Sequence, residues 1–69
     1  MEITINNQTK VLAEHTNISV QQLLNLEIPE KQKGIAVAIN NKVISKSDWE
    51  TKTISHNDVV LIIKATQGG

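Results

Sequence analysis

The sequence predicts an α+β fold in which one main helix lies across one face of a mixed four- to five-stranded sheet. Three observations carry that expectation. Residues 1–6 and 35–39 alternate apolar and polar or small side chains, as half-buried strands do. The period changes at residues 18–26, where a helix start signal precedes an amphipathic stretch. An unbroken aliphatic run, Val59-Val60-Leu61-Ile62-Ile63, then reads as a central strand.

The elements follow in order. Ile3 and Ile5 share one face of the first strand, and the cluster Asn6, Asn7, Gln8 reads as a turn because asparagine tolerates positive φ. A second strand at residues 10–13 completes a hairpin. Ser19 followed three residues later by Gln22 is a capping-box pattern, and Ile18 is placed to staple onto Leu23. Val20, Leu23 and Leu24 share a helical face, and Pro29 closes the segment by pushing the preceding residue out of helical geometry.

The polar stretch 29–34 is a surface loop. Ile35, Val37 and Ile39 alternate with Ala36 and Ala38, and Asn40-Asn41 suits a tight hairpin turn whose two central positions both need positive φ. Val43 and Ile44 return as a short strand. Ser47 is a candidate cap for a single helical turn through Asp48, Trp49 and Glu50, and residues 55–58 form a turn before the last strand. The order β β α β β β, with the most apolar strand last and one helix to cover the sheet, is that of the β-grasp, or ubiquitin-like, fold.

Composition narrows the function. Sixty-nine residues make one domain, which buries only about 60% of its unfolded surface and has no room for a deep active-site cavity. The 7 basic residues, all lysine, balance 7 acids, so no basic stripe invites nucleic acid, and one aromatic residue, Trp49, offers no stacking platform. Cysteine is absent, which removes disulfides, thiolate metal ligands and a thiol nucleophile. No targeting segment or membrane-length apolar run is present, so a cytoplasmic protein that touches no membrane is expected.

Two regions are candidates for function. If the helix covers Val59, Leu61 and Ile63, then Val60 and Ile62 lie on the open side of the sheet with Ala36 and Ala38, as a docking patch. The alternative is that both are simply part of a doubly buried central strand. Beyond residue 65 the apolar pattern ends, so residues 1–65 form the domain and 66–69 a flexible tail closing on Gly68-Gly69. Two residues without a Cβ can enter a channel too narrow for any side chain, and the reactive group carried there is the carboxylate of Gly69. The competing reading of the glycines is a frayed end or an expression remnant. Lys64, Thr66 and Gln67, which lead to the glycines, complete with Val60 and Ile62 the candidate partner-binding set.

The other residues carry less. Trp49 is a candidate partner anchor or, more in keeping with a sole tryptophan, an edge-of-core residue. His15 and His56 lack metal-site spacing and read as surface histidines, so no metal ligands are assigned. Asp48 and Glu50 are too close in sequence to form an opposed catalytic pair. Lys31 and Lys33 belong to a solvated loop.

From Gly34 onward, the strand Val37-Ala38-Ile39-Asn40, then Val43-Ile44, Trp49 five residues after Ile44, Asp58 before the last strand and the closing Gly68-Gly69 resemble the sulfur carrier proteins of thiamine biosynthesis, the ThiS family. The resemblance implies a protein co-substrate rather than an enzyme, with no intrinsic catalytic residue and no bound cofactor. An adenylating enzyme of the ThiF type would use ATP to activate Gly69, with Gly68 giving access. Sulfur drawn from a cysteine desulfurase relay would then convert the terminus to a thiocarboxylate for a thiazole synthase of the ThiG type. Ser45, Lys46 and Asn57 depart from residues common in that family. Alternatives are the small subunit of molybdopterin synthase, or a ubiquitin-like modifier or binding module without sulfur chemistry.

Overall fold

In the computed structural model, which describes residues 1–13, 17–30 and 32–64, the elements are β1 (Glu2–Ile5), β2 (Gln8–Val11), β3 (Ile18–Ser19), α1 (Val20–Glu27), β4 (Ile35–Ile39), β5 (Lys42–Ile44), a 3₁₀ turn (Lys46–Asp48), β6 (Thr53–Ile54) and β7 (Val59–Lys64). The main sheet has the order β2-β1-β7-β4-β5. Its β1–β7 pair is parallel and its other pairs are antiparallel, so the last strand is central and the sheet mixed, as expected.

Asparagine makes both hairpins. Asn6 and Asn7 have φ of 49° and 69°, and Asn40 and Asn41 have 52° and 71°, the left-handed pair that a two-residue turn needs to match strand twist. The first turn uses only Asn6 and Asn7. Gln8 is therefore already in strand, opposite Ile5, and β2 starts two residues earlier than expected.

The helix starts where its cap dictates. The Ser19 hydroxyl accepts from the Gln22 N–H at 3.1 Å, and the Ser19 N–H donates to the Gln22 side chain at 2.9 Å. Val20, Leu23 and Leu24 are fully buried against the sheet core of Ile3, Ile5, Val37, Ile39 and Val60. Each such side chain stabilises the fold by about 1.5–3 kcal/mol relative to an exposed one. Lys10, opposite Ile3 on the helix-facing side, reaches Glu27 at 3.5 Å and ties β2 to the helix end.

A second sheet pairs β3 with β6, Ile18 opposite Ile54 and Ser19 opposite Thr53. Two-residue strands show no periodicity, which is why the sequence points only to the Ile18 staple. The short turn also differs: Ser45, not Ser47, holds its cap position, and the bonds Asp48 N–H to Ser45 O and Trp49 N–H to Lys46 O are of the i to i+3 kind.

The face assignment of β7 is reversed. Val60 is fully buried, and Ile62 packs against the core from the same side. Residues directly opposite in a sheet share a face, and Val60 lies opposite both Ile5 and Ile39, with Ile62 opposite Val37. Register with two inward-facing neighbours therefore turns Val60 and Ile62 toward the helix. They form no docking patch.

Candidate functional site

The open face carries the other half of β7. Val59 is 44% and Ile63 53% exposed, and Val43 on β5 is 74% exposed. Leu61 is half-buried and Ala36 exposed. Ala38 is 8% exposed although it belongs to this face, because it sits in register between Leu61 and Val43 and its single methyl lies below theirs. The result is an apolar strip across three strands that ends at Ile63, one residue before the strand does.

The two ends of β7 are held differently. At its start, the Asp58 carboxylate accepts from the Ser55 N–H at 2.8 Å and from Asn40 Nδ2 at 3.1 Å. The Asp58 carbonyl accepts from the Thr4 N–H, and Asn40 exchanges two bonds with Val59, one through its backbone N–H and one through its side-chain oxygen. Asn57 adopts φ 73°, the left-handed turn geometry expected of asparagine there, and its N–H donates to the Glu2 carbonyl at 2.7 Å.

At the far end, Lys64 is exposed and lies opposite Ile35 of β4. On the opposite edge β1 has stopped. The Asn6 side chain takes its place: Asn6 Nδ2 donates to the Ile62 carbonyl at 3.3 Å, and Asn6 Oδ1 accepts from the Ile62 N–H at 2.8 Å. Thr66, Gln67, Gly68 and Gly69 lie outside the described residues, as do His15 and Lys31. The structure thus brings Lys64 of the expected set to the end of β7 and withdraws Val60 and Ile62 into the core. Sequence reasoning missed Asn6 and Asn40 as tethers of this strand. Their turn role was visible, but what their side chains reach depends on non-local pairing.

The other candidates resolve as structural parts. Trp49 is 2% exposed and its indole N–H donates to the Ile44 carbonyl at 3.2 Å. Its own carbonyl accepts from the Gln21 N–H at 2.9 Å, so it joins the 3₁₀ segment to the first turn of α1 as a core residue. The Lys46 ammonium stands 5.9 Å from the indole centroid, within cation–π range. Ser45 bonds the Asp48 carboxylate at 3.1 Å, which accounts for that acid locally. His56 is exposed, and its Nδ1 accepts from the Glu2 N–H at 3.0 Å.

Two surface depressions of about 260 and 220 Å³ are lined by Glu27, Ile28, Pro29 and Glu30, and by Ile18, Gln22, Asn25 and Leu26. Neither joins a nucleophile to a base. Among the described residues no group of three or more His, Cys, Asp or Glu side chains is placed to hold a metal ion, and no helix is long and apolar enough to cross a membrane.

Comparison with known proteins places this geometry. The sequence model of the ThiS family matches residues 3–69. The chain is 28% identical over 69 residues to the sulfur carrier protein ThiS of Escherichia coli K12, covering the full length of both. The crystal structure of the thiamine biosynthesis protein ThiS from Geobacter metallireducens superposes with a TM-score of 0.90 at 20% identity over all of both chains. A solution structure of a thiamine biosynthesis protein from the same organism superposes with a TM-score of 0.81 at 20% identity, over all of this chain and 88% of that one. These two likenesses establish the β-grasp fold.

Proposed function

The chain belongs to the ThiS family and is a sulfur carrier of thiamine biosynthesis rather than a catalyst; from that premise we propose that the carboxylate of Gly69 is its working group. The observation that carries this reading is that the family match runs through residue 69, and so through the glycine pair that follows the central strand. Residues 1–65 serve as the handle and 66–69 as the segment that a partner draws in.

A carboxylate at neutral pH is a poor electrophile. In the proposed sequence, a Gly69 oxygen attacks the α-phosphorus of ATP in the adenylating partner, and pyrophosphate leaves. A persulfide on the partner side, its sulfur drawn from a cysteine desulfurase, then attacks the carbonyl carbon and AMP departs. A second partner thiol attacks the S–S bond of the acyl persulfide, so that the thiocarboxylate leaves and a partner disulfide remains. The net change is one oxygen replaced by sulfur, and thiazole synthase takes the sulfur into the thiazole ring. Gly68 gives the channel clearance that any Cβ would remove. The carrier itself binds no cofactor, and its place is the cytoplasm, with the enzymes it serves.

The partner seats on the open apolar strip of Val59, Leu61, Ile63, Ala36 and Val43 rather than on Val60 and Ile62. Five residues beyond Lys64 span at most about 17 Å, so an enzyme that holds Gly69 also reaches the end of this strip. Lys64, Thr66 and Gln67 line the approach.

The test is pyrophosphate exchange into ATP by the cognate adenylating enzyme. Exchange should depend on the carrier and vanish when Gly69 is deleted; exchange that persists without Gly69 rejects the assignment. Copurification with thiazole synthase, and not with a molybdopterin synthase large subunit, places the carrier in the thiazole branch.

A further inference from the structure

Strand β7 carries the tail, yet its neighbour β1 ends before it does. Direct β1–β7 pairing covers only Thr4 opposite Val59 and Ile5 opposite Val60, extended by the Asn6 N–H donating to the Val60 carbonyl at 3.0 Å. The backbone then turns away at Asn6 and Asn7 in left-handed geometry. Bonding alternates along an antiparallel pair, and Val59 exchanges bonds with Asn40 of the β4 side. Leu61 and Ile63 therefore direct their backbone groups to Ala38 and Ala36, while Val60 and Ile62 direct theirs toward β1.

Without the Asn6 side chain, Ile62 would have no partner on that side among the described residues. Its carboxamide supplies both a donor and an acceptor to Ile62, the pair of bonds that one further strand residue would make. No other described side chain bonds the backbone of β7 beyond Val59.

We infer that Asn6 is a positioning residue for the carrier reaction: its carboxamide holds the last stretch of β7 in the sheet plane and so fixes the direction in which the chain reaches Lys64. This rests on the carrier reading above. Gly69 lies seven residues beyond Ile62, a span of at most about 25 Å, so a strand end held only by β4 would swing the carboxylate through a wide arc after the body had docked. Loss of alignment then lowers the rate of the step inside the complex more than it weakens docking, because the docking strip is untouched.

The experiment compares Asn6→Gly with Asn7→Gly in the full chain. Glycine accepts the positive φ of either position, so both variants keep the turn, and only Asn6→Gly deletes the tether. Amide exchange reads the tether, and steady-state adenylation with ATP and the cognate enzyme reads the reaction. Asn6→Gly should lose protection at the Ile62 N–H while keeping it at Leu61 and Ile63. Its kcat should fall about tenfold with KM nearly unchanged, and Asn7→Gly should match wild type in both. Asn6→Asp keeps the acceptor for the Ile62 N–H and loses the donor, and should fall between. Wild-type kcat in Asn6→Gly, with Ile62 protection gone, overturns the positioning role and leaves the carrier reading standing. A change confined to KM overturns it too. If the wild-type protein is not adenylated, the carrier reading fails first and the positioning role goes with it.

Discussion

The two ends of β7 are built to opposite purposes. Its start is clamped from both sides, by Asp58 and Asn57 to the 55–58 turn and β1 and by Asn40 to the β4–β5 hairpin. Its end has Ile35 of β4 on one edge and a single side chain, Asn6, on the other. A strand fastened at its origin resists being pulled from the body, and its lightly tethered exit is the end from which, on the proposed reading, a partner takes up the chain. That contrast suits a carrier whose chemistry happens elsewhere.

The contrast can be broken in the core first. Val60→Ala removes a fully buried side chain at the centre of β7 and should cost about 2 kcal/mol of stability in chemical denaturation. Adenylation of the folded variant should remain at the wild-type rate. If the rate falls while the protein is folded, the body is not the passive handle described here.

At the clamped end, Asp58→Ala deletes acceptors for the Ser55 N–H and Asn40 Nδ2 and should lower stability by about 1–2 kcal/mol. Asn57→Ala forces a Cβ into φ 73° and should cost about 1 kcal/mol, whereas Asn57→Gly should be close to neutral. A thermal melt separates the pair, and equal melting temperatures would mean that left-handed geometry is not what asparagine supplies there.

Ile63→Ala sharpens the comparison from the exit side. Its side chain is 53% exposed, so stability should change by no more than about 0.5 kcal/mol. Affinity for the adenylating enzyme should nevertheless fall by roughly fivefold to tenfold if the open strip is the seat. Unchanged affinity in a titration would move the seat elsewhere.

Much of this architecture was legible because its signals are local. The Ser19–Gln22 box, the Asn40-Asn41 turn and the alternation of Ile35, Val37 and Ile39 each act within a few residues, and each element falls where they place it. The phase of β7 was not legible, since Val59, Leu61 and Ile63 are as apolar as Val60 and Ile62. Only register with Ile5 and Ile39 decides which set faces the helix, and that register is set by strands distant in sequence. The β3–β6 pair and the reach of Asn6 to Ile62 escaped for the same reason. The glycine pair is read from its place after the last strand and lies outside the described residues, whereas the tethered end of β7 before it needed the sheet.

The measurement closest to the central claim is intact mass after incubation with the adenylating enzyme, ATP and a sulfur donor, on the natural chain and on one carrying a single added alanine after Gly69. The natural chain should gain the mass of one oxygen-for-sulfur exchange, localised to Gly69, and the extended chain should fold alike and gain nothing. Sulfur acquired by the extended chain, or found anywhere but Gly69 in the natural one, would contradict a carrier that works through its terminal carboxylate.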